Sequence, residues 1–135
     1  MCMADYADDR PTVYSAKTFR TRKDRRCDEC GRLIKQGERY ENAFMVYEGH
    51  GSTFVTCEHC KVGAQWLLEN CGGYLHNAVW ADLEEHIAEY PTLAFELSRL
   101  RVGRKRLWQR FDGAGLMAIP PVPRTLEEAG LEKHG

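Results

Sequence analysis

Two cysteine pairs set the terms for this chain. Cys27-Asp28-Glu29-Cys30 is followed at once by Gly31, and Cys57-Glu58-His59-Cys60 answers it after a gap covering residues 31–56. Two intervening residues let one tight turn aim both sulfurs at a single point, and two such turns supply the four ligands of a tetrahedral zinc. Gly31 suits the first turn because it takes positive φ without strain. The second pair falls where a helical pattern begins. There the unpaired backbone N–H groups and the helix dipole favour thiolate over thiol. The spacing therefore predicts one structural Zn²⁺ held by Cys27, Cys30, Cys57 and Cys60. An iron–sulfur or redox role draws on the same ligands, and a disulfide pair is the remaining alternative.

The chain around the ligands reads as a small mixed fold. Thr12 to Arg20 carries Val13, Tyr14 and Phe19 among threonines and reads as a strand. Gly37 marks a turn, and Glu38 to Tyr47 is rich in Tyr, Phe and Val. After a glycine-marked turn at 48–52, Thr53 to Thr56 supplies the return strand of a hairpin. A first helix is expected over about 58–70, with Val62, Gly63, Trp66 and Leu67 as its buried stripe and Gly72-Gly73 as its stop. A second, over about 75–90, puts His76, Val79, Trp80, Leu83, Ile87 and Tyr90 on one face. Asp82, Glu84, Glu85 and Glu89 take the other, and Pro91 ends the pattern. Leu93, Leu97, Leu100, Leu107, Trp108 and Phe111 continue at helical spacing, giving a third helix that Gly103 bends or breaks. Pro120, Pro121 and Pro123 then make an extended linker, and 126–133 a short, weakly held helix.

A knuckle, a β-hairpin, and a helix whose first turn carries the last two ligands make an order that resembles the treble-clef zinc finger. The stretch Cys27-Asp-Glu-Cys-Gly-Arg-Leu-Ile-Lys-Gln-Gly-Glu-Arg-Tyr40 looks like a group of small uncharacterised phage and prophage zinc-finger proteins. Cys71-Gly-Gly-Tyr-Leu-His-Asn-Ala-Val-Trp-Ala-Asp-Leu-Glu-Glu-His86 adds to the likeness. The resemblance spans roughly residues 12–90. It implies an α+β protein with a treble-clef core and two or three further helices packed on it. It also implies a task in recognition during infection: binding a host protein or nucleic acid, for instance to block a defence system or alter transcription.

The expected layout is a loose N-terminal segment at 1–11, a zinc-binding core at 12–73, a helical extension at 74–115, and a Pro-rich linker and tail at 116–135. A hairpin and one helix make a core that is marginal without a staple. Structural zinc in finger peptides contributes on the order of 10–16 kcal/mol of apparent binding free energy, as much as the whole stability of a typical domain, about 5–15 kcal/mol. Trp66, Trp80 and Trp108 are the large side chains expected to close the core over it. No apolar run is long enough for a membrane span. The start, Met1-Cys2-Met3-Ala4-Asp5, has no secretory pattern. Six cysteines without such a signal point to a reducing, cytoplasmic compartment.

The chain's net charge of −1 names no partner, but its distribution is uneven. Nine bases meet four acids from Lys17 to Arg39; nine acids meet only Lys61 from Glu41 to Ser98; six bases and no acid follow from Arg99 to Arg110. Arg20, Arg22, Lys23, Arg25 and Arg26 lie just before the knuckle. Arg99, Arg101, Arg104, Lys105, Arg106 and Arg110 surround Leu107, Trp108 and Phe111. Such clusters neutralise phosphates if they meet on one surface; otherwise their stems cover the edges of the core, or they pair with the acids of the second helix. The acidic face at 82–89 and the segment Pro120-Pro121-Val122-Pro123-Arg124 favour a protein partner, the latter as a polyproline docking segment or as a plain spacer.

Catalysis has little to draw on. HNH-type nucleases share a treble-clef-like core but keep histidines and open positions around a catalytic metal, whereas four thiolates close the coordination sphere. No nucleophile motif and no phosphate-binding glycine loop is present, so neither an enzyme nor a small-molecule substrate is expected. Cys71, His76 and His86 lack paired ligand spacing for a second metal. Cys71 reads as a small buried apolar residue, His59 as an exposed side chain between two ligands, and His50 as a ligand only if one CxxC pair is misread.

Overall fold

The structure is a computed structural model that describes residues 13–110 and 112–131. The expected loose segment at 1–11 lies outside the described residues, as do Cys2, Phe111 and His134. The chain runs β1 (Val13–Arg20), β2 (Arg25–Arg26), β3 (Leu33–Ile34), β4 (Arg39–Tyr47), β5 (His50–Cys57), α1 (Glu58–Cys71), α2 (Val79–Glu89) and α3 (Ala94–Lys105), with a short 3₁₀ turn at Pro91–Leu93 before α3.

The strands form an antiparallel sheet in the order β1-β4-β5, and β2 and β3 pair as a separate two-stranded ribbon around the knuckle. Tyr47 pairs with His50, so the hairpin loop is only Glu48-Gly49, and both residues have positive φ (49° and 82°). This two-residue geometry matches the twist of the strands it joins. It shortens the expected turn at 48–52 and lets β5 begin at His50. Along β4, Ala43 and Met45 point inward and are buried, whereas Phe44 is exposed, the period of two expected of a half-covered sheet.

The three helices and the chain after them close one apolar core. Trp66 and Leu67 from α1, Val79 and Leu83 from α2, and Leu93, Leu97 and Leu100 around α3 are all buried in it. Gly63 permits the α1–α2 approach: a Cβ there would sit 2.7 Å from Leu83 Cδ1. Gly72 caps α1 at φ 75° and donates its N–H to Leu68 O, as the double glycine predicts.

Three expectations are corrected. The second helix begins at Val79, not near 75, because Asn77 turns the chain at φ 67°; His76 therefore precedes the helix. Asp82, expected on the polar face, is 1% exposed and faces His86 Nδ1 at 3.3 Å. The third helix stops at Lys105. Leu107 and Trp108 take φ of 51° and 60°, and Trp108 N–H donates to Gly103 O at 2.7 Å. The reversal lays the Trp108 ring on Gly103, where any Cβ would overlap it.

The stretch after Pro123 is held more firmly than a weak tail. Trp66 Nε1–H donates to Arg124 O at 2.8 Å, Leu126 N–H donates to Asn70 Oδ1 at 2.8 Å, and Leu126 is 2% exposed. Residues 126–130 form turns instead of a helix. All three tryptophans lie in the core as expected.

Candidate metal centre

The knuckle is closed by Gly31, whose φ of 81° brings its N–H to Cys27 O at 2.8 Å. The turn is fastened to β5 from both sides: Asp28 N–H donates to Val55 O at 2.8 Å, and Val55 N–H donates to Asp28 Oδ2 at 2.6 Å. That pairing sets the knuckle beside the end of β5, where Cys57 becomes the N-cap of α1 and Cys60 sits in its first turn. The ligand atoms of Cys27, Cys30, Cys57 and Cys60 all lie within 4.8 Å of one another. Sulfurs about 2.3 Å from a tetrahedral zinc stand about 3.8 Å apart, so the four enclose room for one ion and not for a multi-iron cluster. All four are free thiols, which removes the disulfide alternative.

The surroundings favour negative sulfur. Cys57 N–H points at Cys27 Sγ and Cys60 N–H at Cys57 Sγ, each at 3.4 Å. The second is a helix N-cap bond, with the positive end of the α1 dipole behind it. The sulfurs also set one another's protonation. Hydrogen bonding from Cys30 first, then Cys57 and Cys60, holds Cys27 far below the usual thiol range. Cys57 is lowered too, because Cys30 and Cys60 outweigh the opposing effect of Cys27. The same bonds push Cys30 and Cys60 up. Four sulfurs converging on one point, with backbone N–H groups aimed at two of them, are a donor set that a soft divalent cation fits.

Three polar residues besides the cysteines complete the site: Arg32 just after the first pair, and Glu29 and His59 inside the two pairs. Arg32 is 4% exposed, and its guanidinium holds both carboxylate oxygens of Glu38, Nη2 to Oε1 at 2.9 Å and Nη1 to Oε2 at 3.3 Å. Burial alone would lower its pKa, but Glu38 and the neighbouring Cys57 sulfur raise it, so it stays cationic beside the thiols. His59, expected to be exposed, is 3% exposed: its Nδ1 is 3.4 Å from Arg32 Nη2, its Nε2 donates to Met117 O at 2.6 Å, and its ring leans on Trp108. Glu29 is buried, which pushes its carboxyl up to about 7 against the opposing bond from Asn77 N–H at 2.7 Å. Arg32 and Glu38, six residues apart across the β3 turn, were readable as an opposite-charge pair; nothing in the spacing pointed His59 at Met117.

The basic clusters are partly spent on the fold. Arg20 and Arg26 donate to the carbonyls of Gly37 and Gly31, and Arg25 lies over the Tyr40 ring. Arg101 pairs with Glu84, Arg110 with Asp112, Arg104 lies over Trp80, and Arg106 donates toward the carbonyls of Gln109 and Arg110. Arg22, Lys23, Arg99 and Lys105 are exposed. Cys71, expected as a small buried apolar residue, is instead half-buried and disulfide-bonded, with its sulfur 3.7 Å from His86 Nε2. His76 stands apart from both, packed among Tyr14, Phe54 and Tyr74. His50 is exposed in the hairpin. Among the described residues the only group of three or more such side chains with metal-binding spacing is the four-cysteine one, and no helix is long and apolar enough to cross a membrane.

Fold and site together define a mixed α+β protein, with a small sheet and three helices, built around a four-cysteine cluster compatible with a zinc finger. No family model matches this chain, and it has no match among curated proteins or solved structures.

Proposed function

We propose that the chain is a small cytoplasmic recognition protein of treble-clef type, in which one Zn²⁺ on Cys27, Cys30, Cys57 and Cys60 scaffolds a surface that docks a protein partner. The observation that carries this is the convergence of the four sulfurs from two separate turns to within 4.8 Å. When bound, zinc supplies cross-linking and no open coordination position. Arg32 offsets the excess negative charge of four thiolates, Asp28 ties the first ligand turn to β5, and His59 ties the second to the segment at Met117. Nothing in this arrangement activates water, so the reading is a binding protein and not an enzyme. The likeness of 27–40 and 71–86 to phage-type zinc-finger proteins supplies a context, in which the partner is a host protein acted on by an inhibitor or adaptor.

Nucleic-acid binding through clusters 20–26 and 99–110 is the second reading, favoured by the exposure of Arg22, Lys23, Arg99 and Lys105. The two separate in one set of measurements on the purified chain. The protein reading expects one zinc per chain by elemental analysis, a defined partner on capture, and no salt-sensitive binding to random duplex. Duplex binding that falls steeply with salt and is lost on changing Arg104, Lys105 and Arg106 to Ala replaces it with the nucleic-acid reading. A chain that purifies without metal and keeps its fold in chelator removes both.

A further inference from the structure

The outward face of α3 carries a feature that zinc does not explain. Phe95, Arg99, Val102 and Arg106 follow one another at steps of four, three and four residues, which is one line along a helix of period 3.6. Leu97, Leu100 and Gly103 face the core instead. Phe95 is 75% exposed and Val102 44%. The chain returns beside this line as residues 116–121, adding exposed Leu116 and Ile119. Between helix and return segment lie three adjoining hollows, one of about 370 Å³ floored by Phe95, Val102, Gly103 and Met117. Arg99 borders all three.

The charges around the groove are unequal in their freedom. Arg110 is paired with Asp112 at 2.9 Å, and Arg124 with Glu96 at 2.7 Å. Arg106 is engaged with backbone carbonyls. Arg99 makes no ion pair or side-chain hydrogen bond among the described residues. A contiguous apolar strip with one uncommitted guanidinium at its centre is complementary to apolar side chains interrupted by carboxylate. A nucleic-acid strand asks for something else: several free cations along a track and a series of stacking rings. Here a single aromatic, Phe95, stands among aliphatic residues.

We propose that the groove between α3 and residues 116–121 is the docking site, and that its occupant is an acidic segment of a partner protein with apolar residues interspersed among Asp and Glu. This deepens the protein-binding reading and rests on it. The groove is also joined to the metal centre. Met117 forms part of its floor, and Met117 O is held by His59, which lies between two of the zinc-ligating cysteines. Metal occupancy and groove shape are therefore mechanically connected.

The test is selection of a random displayed peptide library on the immobilised, zinc-loaded full chain, followed by affinity measurement on the enriched peptides. Enrichment of sequences mixing Asp or Glu with Leu, Phe, Val or Ile is expected. Affinity should fall at least about tenfold on Arg99→Glu and on Val102→Asp, and stay unchanged on Lys23→Glu outside the groove. All these side chains are exposed, so zinc content and thermal transition serve as folding controls. No enrichment, enrichment of basic peptides, or affinity indifferent to Arg99→Glu overturns the groove. Should a captured partner bind the Arg99→Glu chain normally, the protein-binding reading survives and only its location falls. Should a labelled oligonucleotide displace the selected peptides, the surface belongs to nucleic acid and both fall.

Discussion

The β-rich region up to Cys57 and the helical region beyond it are ordered by different means. In the first, the strand faces are thinly covered: β1 is exposed from Tyr14 to Arg20, and the ribbon β2–β3 is two residues on each side. Its buried anchors are few, chiefly Ile34, Tyr40, Ala43 and Met45, together with Cys27 and Cys57. In the second, Trp66, Leu83, Leu97, Leu100, Trp108 and Leu126 bury each other almost completely. A region with little apolar area to hide needs a staple, which the four-cysteine cluster is placed to provide; a region with much is held by packing. The cost of a change should therefore depend on whether it falls on the cysteine cluster or in the packed helical region.

Removal of the metal tests this most severely. Chelation, or Cys60→Ser, is expected to cost about 10 kcal/mol or more, enough to unfold the β-rich region outright. Hydrogen exchange should show the amides of β2 to β5 losing protection before those of α2 and α3. Simultaneous loss in both regions breaks the distinction. Next in size is Trp108→Ala, which empties a fully buried site and should cost about 3–5 kcal/mol in denaturant unfolding. Zinc content should stay at one per chain, since the packed region is the one disturbed.

His59→Ala acts on the seam. It removes the bonds to Met117 O and Arg32 and should cost about 1–3 kcal/mol. Retained metal with faster proteolysis between 112 and 121 would show that His59 links the regions without ligating. The smallest effect belongs to His76, which Tyr14, Phe54 and Tyr74 surround and which Glu41, Lys61 and Asp28 influence electrostatically. Burial lowers its pKa below 6.5 despite the carboxylates. A group with a depressed folded pKa contributes stability that is present above its unfolded value and lost as pH falls through its folded one. Thermal midpoints should therefore fall more for the native chain than for His76→Phe below about pH 6.5. Equal slopes would remove His76 from the account.

The four-cysteine cluster was legible in the sequence because metal-site geometry is written in local spacing: two residues between cysteines, a glycine after them, a helix start at the second pair. The hairpin and α1 were legible for similar reasons, through Gly49, Gly72 and the Tyr, Phe and Val content of the stretch that forms β4. What escaped was long-range. Asp82 looked like one of four acids on a wet face, because a helical wheel cannot report that this turn is buried and that His86 Nδ1 meets Asp82 there. Trp108 fitted a continued helix, since Leu107 and Trp108 carry no sign of left-handed φ; only the space above Gly103 explains the reversal. His59 looked exposed because its neighbours are ligands, while the carbonyl that receives it lies 58 residues away.

One consequence follows from the way Trp66 and Asn70 grip the chain at Arg124 and Leu126. The exposed loop at Asp112–Gly115, with Gly113 and Gly115 at positive φ, is the natural place for a nick. A cut there severs the backbone but leaves the closing piece seated on α1. The molecule is thus a candidate for splitting into two complementary fragments that find each other again, with the shorter one serving as a removable half of the groove wall.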